Sequence, residues 1–348
     1  MQQGTTQQVD PDAIALAYQA AIAEAVRRVG ATAPNPPVGC AILDAQGHIL
    51  AVAAHHRAGE PHAEALALRR CEAAGVLARA ATAVVTLEPC NHVGRTPPCT
   101  GAILASPIRT VWIGVRDPNP RVAGGGAGRL RDAGLDVHMA APDSPQARDC
   151  LALIAPFASA LRGRPWVTVK QALDFDGGMI PPPGARTFTS PSSLQLAHRL
   201  RRATDAIVTG LGTIIADAPE FTVRHVADHP ERRRVIAVLD RGDGLPAAWR
   251  RQAEARGFRL RTAPDLPALM QGLRDDGVLW AMVEAGPRLL ASLRRTDLWD
   301  DWLTIRRQPD AGDLVSVRAR TATTPLRLID GIPSEITLEQ EATCSPAS

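Results

Sequence analysis

Apolar side chains recur at helical spacing through residues 12–29, DAIALAYQAAIAEAVRRV, and predict an opening helix. The pattern then changes period. Two short apolar runs, 38–43 and 49–54, flank a polar segment at 44–48 and read as a hairpin. Pro61 stands at the head of HAEALALRRCEAAGVL, where a helix tolerates proline in its first turn, so His62 and Glu64 are expected in that turn. AVVTL, 83–87, predicts a buried strand, and Pro98 is expected to open a helix carrying Cys99. Two further strands are expected at 110–115 and 135–139. Strands alternating with helices predict a layered α/β domain over residues 10–145.

Residues 146–164 read as a linker helix ending near Gly163. A second α/β domain is expected over 165–336. Its pieces are a strand at WVTVK (166–170), a polar Gly/Pro-rich loop at 176–185, a helix at 190–202, strands at 206–210 and 234–239, and a strand running into a glycine turn at 280–286. Residues 337–348 are expected to form a tail.

A chain of 348 residues is long enough for two such cores. The formal net charge is only +3, which sets up no field suited to nucleic acid or a membrane surface, and neither partner is expected. The first twenty residues show no charged start followed by an apolar run, so a cytoplasmic protein with reduced thiols is expected. All but one of the 39 basic residues are arginine, and the exception is Lys170. Where a site needs a compact ammonium, a planar guanidinium cannot replace it, so Lys170 is a functional candidate.

The densest chemistry lies between Gly59 and Cys99. GEPHAE supplies His62 and Glu64, and TLEPCNHVGRTPPC supplies Cys90 and Cys99, each cysteine preceded by a proline. One histidine and two thiolates cancel the charge of a zinc ion and leave a fourth position open for water. A carboxylate beside the ligands, Glu64, is then the expected proton shuttle of a hydrolytic deaminase, whose pattern is H-x-E followed by P-C-x-x-C. His62-Ala63-Glu64 and Pro89-Cys90 fit that pattern, but eight residues rather than two separate the cysteines. Cys40, Cys71 and Cys150 read as packing thiols and Cys344 as a tail residue; His55, His56 and His92 are not ligand candidates.

The widened spacing in PCNHVGRTPPC resembles the deaminase half of the bifunctional deaminase-reductase family of riboflavin biosynthesis. The segments PNPPVGC (34–40) and GVRDPNP (114–120) extend the resemblance. It implies a cytidine-deaminase-like three-layer domain with a mixed sheet, followed by a dihydrofolate-reductase-like α/β domain. It also implies pyrimidine ribotide substrates, contacted in the deaminase half by Asn35, His92, Arg95 and Thr96.

In the second half, VTVKQALDFDG (167–177) follows the family pattern, with Asp174 in place of its serine. Asp205 to Arg224 follows another, with Ala218 and Phe221 as departures, and Val283-Glu284-Ala285-Gly286 resembles a VEGG turn with alanine for the first glycine. The resemblance implies NADPH bound by Leu173, Thr187, Thr213, Asp217 and Gly286. It implies reductase substrate contacts from Lys170, Arg201, Phe221, Arg224 and Glu284, and a homo-oligomer formed through the reductase domain. Asp174 is expected to set a repelling carboxylate near the cofactor, alanine at 285 to restrict close backbone approach, and the region after Trp302 to be short of closing strands. The alternative is a deaminase whose degenerate second domain serves as a binding or oligomerisation module. A nucleic-acid base deaminase is disfavoured, since aromatic residues make up 3% of the chain and supply no stacking groove.

Overall fold

The computed structural model describes residues 9–92, 94, 97–120, 122–180, 187–229, 232–309 and 312–339. The chain divides into two compact units, Met1–Ile154 and Ala155–Ser348.

The first unit runs α1 (Pro11–Val26), β1 (Gly39–Leu43), β2 (Ile49–Ala54), α2 (Ala63–Ala73), β3 (Thr82–Leu87), α3 (Cys99–Leu104), β4 (Thr110–Val115), α4 (Gly125–Asp132) and β5 (Asp136–Met139), and ends within α5 (Pro145–Leu161). Its sheet has the order β2-β1-β3-β4-β5, with β1 antiparallel to both neighbours and β3, β4 and β5 parallel. Alternation along β1 sorts the layers. Cys40 and Ile42 face a core shared with Ala67 of α2, Ile103 of α3 and Leu130 of α4. Gly39 faces α1, where a Cβ would lie 2.0 Å from the Ala21 carbonyl oxygen, so only glycine lets helix and strand approach this closely. The result is the mixed three-layer α/β unit that the sequence implies.

The second unit continues with β6 (Trp166–Leu173), α6 (Pro191–Ala203), β7 (Ala206–Gly210), α7 (Leu211–Asp217), β8 (Val235–Leu239), α8 (Ala247–Ala255) and β9 (Arg259–Ala263). It closes with α9 (Leu266–Asp275), β10 (Trp280–Val283), α10 (Pro287–Arg294), β11 (Asp301–Arg307), β12 (Asp313–Ala319) and β13 (Thr337–Leu338). The sheet order is β13-β12-β11-β6-β10-β7-β8-β9, parallel from β11 through β9, with β12 antiparallel to β11. The chain steps from β6 past the position of β10 to β7. In open α/β sheets ligands bind beyond the strand carboxyl ends at such a reversal.

Two expectations are corrected. The closing strands are present: β11 and β12 pair over seven residues each, and β13 extends the sheet beyond residue 336. Pro61 is not in the first turn of α2, because His62 is the N-cap (φ −74°, ψ 167°) and the helix starts at Ala63. Pro61 lies outside it, with its carbonyl engaged by His55. Ala285 carries no left-handed backbone, and its methyl packs against the core beside β10.

Candidate active sites

The start of α2 and the start of α3 bring the predicted zinc ligands together. His62 is the N-cap of α2 and Cys99 the first residue of α3, while Cys90 follows β3 and Pro89. His62 Nδ1 lies 3.5 Å from Cys90 Sγ and 3.3 Å from Cys99 Sγ, and all three ligand atoms fall within 4.8 Å of one another. Tetrahedral zinc, with Zn–S of about 2.3 Å and Zn–N of about 2.0–2.1 Å, holds neighbouring sulfur and nitrogen ligands roughly 3.5 Å apart. The donor set and its spacing therefore fit zinc.

The surroundings favour a thiolate at Cys90. Two helix amino ends point their partial positive charge at the cluster, and the Cys99 backbone N–H donates to Cys90 Sγ at 3.3 Å. With the two thiols sharing one site, Cys99 donates to Cys90, which brings the Cys90 thiol down to about 4, and the Cys99 thiol is pushed up in turn.

Glu64, in the first turn of α2, is 3% exposed, and burial raises its carboxyl above the ordinary range. Its Oε2 has no hydrogen-bond partner among the described residues. A buried, acceptor-ready oxygen beside three metal ligands is the placement a proton shuttle requires.

Asn35 is also brought here. Its Nδ2 lies 3.2 Å from His55 Nε2, and His55 Nδ1 lies 3.2 Å from the Pro61 carbonyl oxygen. These partners assign the proton to Nδ1. Sequence reasoning set His55 aside; it is no ligand, yet it is 2% exposed and sits edge-on to the His62 ring at 5.1 Å. The Asn35–His55 contact joins residues 20 apart, and no local pattern announces it. His92 is exposed, while Arg95 and Thr96 lie outside the described residues. Asp117, in the GVRDPNP segment, is half-buried, and burial raises its carboxyl.

In the second unit, the register places Val169 of β6 beside Val283 of β10, which brings Lys170 level with Glu284. Arg201 of α6 clamps Glu284 with Nε–Oε1 of 2.5 Å and Nη2–Oε2 of 2.6 Å, and its Nη1 donates to the Thr222 carbonyl at 3.1 Å. Burial pushes the Glu284 carboxyl up, but Arg201 and Lys170 more than offset this and hold it at about 2. Burial lowers Lys170, against the pull of Glu284.

Thr213 and Gly286 meet as well: the Gly286 N–H, at the N-cap of α10, donates to Thr213 Oγ1 at 3.1 Å. Asp217 is exposed at the end of α7, and Thr187 is exposed and bonded to Thr189. Arg224 reaches Glu220 at 3.1 Å and Thr222 Oγ1 at 2.8 Å on the surface. Two candidates sit differently from the sequence expectation. Leu173 is 8% and Phe221 3% exposed, the latter packed against Trp249, so little of either side chain is open to a ligand. Asp174 Oδ1 accepts the Gly178 N–H at 2.6 Å and closes the 174–178 turn.

This is a zinc-site deaminase unit joined in one chain to a reductase unit. The Cytidine and deoxycytidylate deaminase zinc-binding region family matches residues 13–115, and the RibD C-terminal domain family matches 165–305. The chain is 34% identical to riboflavin biosynthesis protein RibD of Aquifex aeolicus, across 80% of this chain and 83% of that one. It is 38% identical to RibD of Mycobacterium tuberculosis across 76% of each. Among solved structures, the deaminase/reductase of Thermotoga maritima superimposes with a TM-score of 0.74 at 28% identity, covering 86% of this chain and 89% of that one. The chain belongs to the RibD family of bifunctional riboflavin biosynthesis proteins, whose cofactors are zinc and NADPH. Among the described residues no helix is long and apolar enough to cross a membrane.

Proposed function

We propose that the first unit deaminates 2,5-diamino-6-(5-phosphoribosylamino)pyrimidin-4-one. The second then reduces the ribose of the resulting 5-amino-6-(5-phosphoribosylamino)uracil to ribitol. The observation that carries this reading is the His62, Cys90 and Cys99 cluster with the buried Glu64 oxygen beside it, unpartnered among the described residues.

His62, Cys90 and Cys99 would hold zinc, which would supply a water acidic enough to serve as the nucleophile at neutral pH. Glu64 takes the proton released at its Oε2 and returns protons to the ring nitrogen and the departing amine. Asn35, held by His55, faces the pyrimidine, with His92, Arg95 and Thr96 completing the substrate loop. In the second unit NADPH, when bound, would supply the hydride. Thr213, Asp217 and Gly286 hold it, with Thr187 and the Leu173 backbone beside it. Lys170 and the Arg201–Glu284 pair address the ribose, Arg224 takes the phosphate by leaving Glu220, and Phe221 contributes its backbone.

The reductase unit is the surface through which the chain forms a homo-oligomer, and the free thiols of the zinc site suit a reducing cytoplasm. Sedimentation of the whole chain and of a variant altered on that unit tests the first of these.

The deciding experiment incubates the purified chain with the diaminopyrimidine ribotide and NADPH and resolves products by mass spectrometry. Deaminated, reduced product is expected. Deaminated product alone leaves the second unit as a binding module, and no deamination removes the reading.

A further inference from the structure

The metal loop leaves one buried carboxylate without a role in the chemistry above. Glu88, two residues before Cys90, is 5% exposed. Its Oε2 accepts from the backbone N–H of Asp117 at 3.3 Å and Gly124 at 3.0 Å, and its Oε1 accepts from Ala127 at 3.0 Å. Its own N–H donates to the Val115 carbonyl at 2.9 Å. Side chain and backbone of this residue therefore gather the end of β4, the backbone at Asp117 and Gly124 and the first turn of α4 against the segment that carries Cys90.

The same junction is closed from the other side. Gly126 lies so near the metal loop that an added Cβ would stand 1.8 Å from the Pro89 carbonyl oxygen and 3.3 Å from Glu88 Cγ. Asp117, held by Glu88 through its backbone, in turn accepts the Asn119 N–H at 2.8 Å and fixes the turn that follows.

From this geometry we infer that Glu88 is a positioning residue for deamination: it sets the backbone at Asp117 and Gly124 relative to the Cys90 segment and thereby shapes the substrate side of the site without touching metal or substrate. The inference rests on the deaminase reading above. Three N–H donors converge on the group, so it must offer acceptors alone. A carboxylate does, whereas a glutamine of the same shape turns an NH2 toward at least one of those donors. An unsatisfied buried N–H is costly, so the loop moves in preference to the helix unfolding.

The test uses the zinc-loaded full chain carrying Glu88→Gln and, separately, Gly126→Ala, which presses the α4 start against Pro89 and the Glu88 side chain. Zinc content and resistance to a chelator, deaminase kcat and KM, reductase rate, and hydrogen exchange of peptides covering 117–127 are measured. Both variants are expected to keep one zinc and the parental reductase rate and to exchange faster over 117–127. Deaminase kcat/KM should fall about tenfold to a hundredfold, mainly through KM, the range typical of supporting residues around a metal site. Faster exchange with parental kcat/KM overturns the inference, because the loop position then does not matter. Loss of zinc in step with activity also overturns it, because Glu88 would then support the metal loop alone. If the unaltered chain releases no ammonia, the deaminase reading fails, and exchange and zinc retention still report what Glu88 holds.

Discussion

Arg201 and Glu284 are joined by two parallel bonds of 2.5 and 2.6 Å, with side chains 13% and 11% exposed. Lys170 stands beside them on β6, so two cations share one carboxylate. Removing that carboxylate leaves both cations facing each other in a site of low dielectric, and such uncompensated partners typically cost about 3–5 kcal/mol. Glu284→Gln is therefore expected to lower the stability of the second unit by about that amount and to abolish reduction while ammonia release continues. Urea unfolding followed by tryptophan fluorescence reads this unit, since every tryptophan except Trp112 lies in it. Because the folded carboxyl titrates at about 2, below its ordinary value, the pair's contribution is present above about pH 4.5 and is lost as pH falls toward 2. The glutamine variant should lose that acid-side slope.

Asp301 has the opposite sign. It is fully buried at the start of β11, accepting from Trp166 Nε1 at 2.6 Å and Thr168 Oγ1 at 3.2 Å. Burial drives its carboxyl up to about 7, against the hydrogen bonds that hold it down. The folded chain then keeps a proton that the unfolded chain releases near pH 4, so stability declines as pH rises from about 4 to about 7. The full difference is on the order of 4 kcal/mol. Asp301→Asn removes the titration while keeping an acceptor for Trp166. Thermal unfolding between pH 5 and 8 should show a flatter pH profile in the variant, and an unchanged profile would exclude Asp301 as its source.

The Thr213 hydroxyl accepts the Gly286 N–H that opens α10. It thereby orients the turn at the carboxyl end of β10, where a cofactor phosphate would meet backbone N–H groups. Thr213→Val keeps the shape and removes the acceptor, a loss of about 1 kcal/mol of hydrogen bonding. NADPH affinity is expected to weaken about fivefold to tenfold by fluorescence titration, with zinc content unaltered. Parental affinity would take Thr213 out of the cofactor site.

Local pattern and global placement were legible to different degrees. His62, Glu64, Cys90 and Cys99 could be read because their identities are set by chemistry and each pair lies within one short motif. Helix α4 could not: GGAGRLRD is poor in helix formers, and the helix is fixed instead by Ala127 and Leu130 in the core and by Glu88 at its amino end. Strands β11 and β12 were hidden because β12 alternates exposed and buried residues at a sheet margin, and its pairing with β11 is a tertiary fact. Phe221 and Leu173 matched a motif, yet their side chains serve the core, which a motif alone cannot reveal.

Glu64 and Cys99 are the sharpest test of the first site, because one is expected to serve chemistry and the other metal retention. Glu64→Gln keeps the size of the side chain and the α2 N-terminus that supports it, so His62, Cys90 and Cys99 remain placed to hold zinc. What it removes is the acceptor at Oε2, the buried oxygen with no protein partner among the described residues. General acid–base groups contribute about 10²–10⁴-fold, so ammonia release should fall by that factor with zinc content at one per chain and the reductase rate unchanged. Cys99→Ser should behave differently. The weaker ligand lets a chelator strip zinc, and deamination then returns in proportion to added zinc. Full deaminase activity in Glu64→Gln would reassign the proton shuttle, and tight zinc retention in Cys99→Ser would remove that thiol from the ligand set.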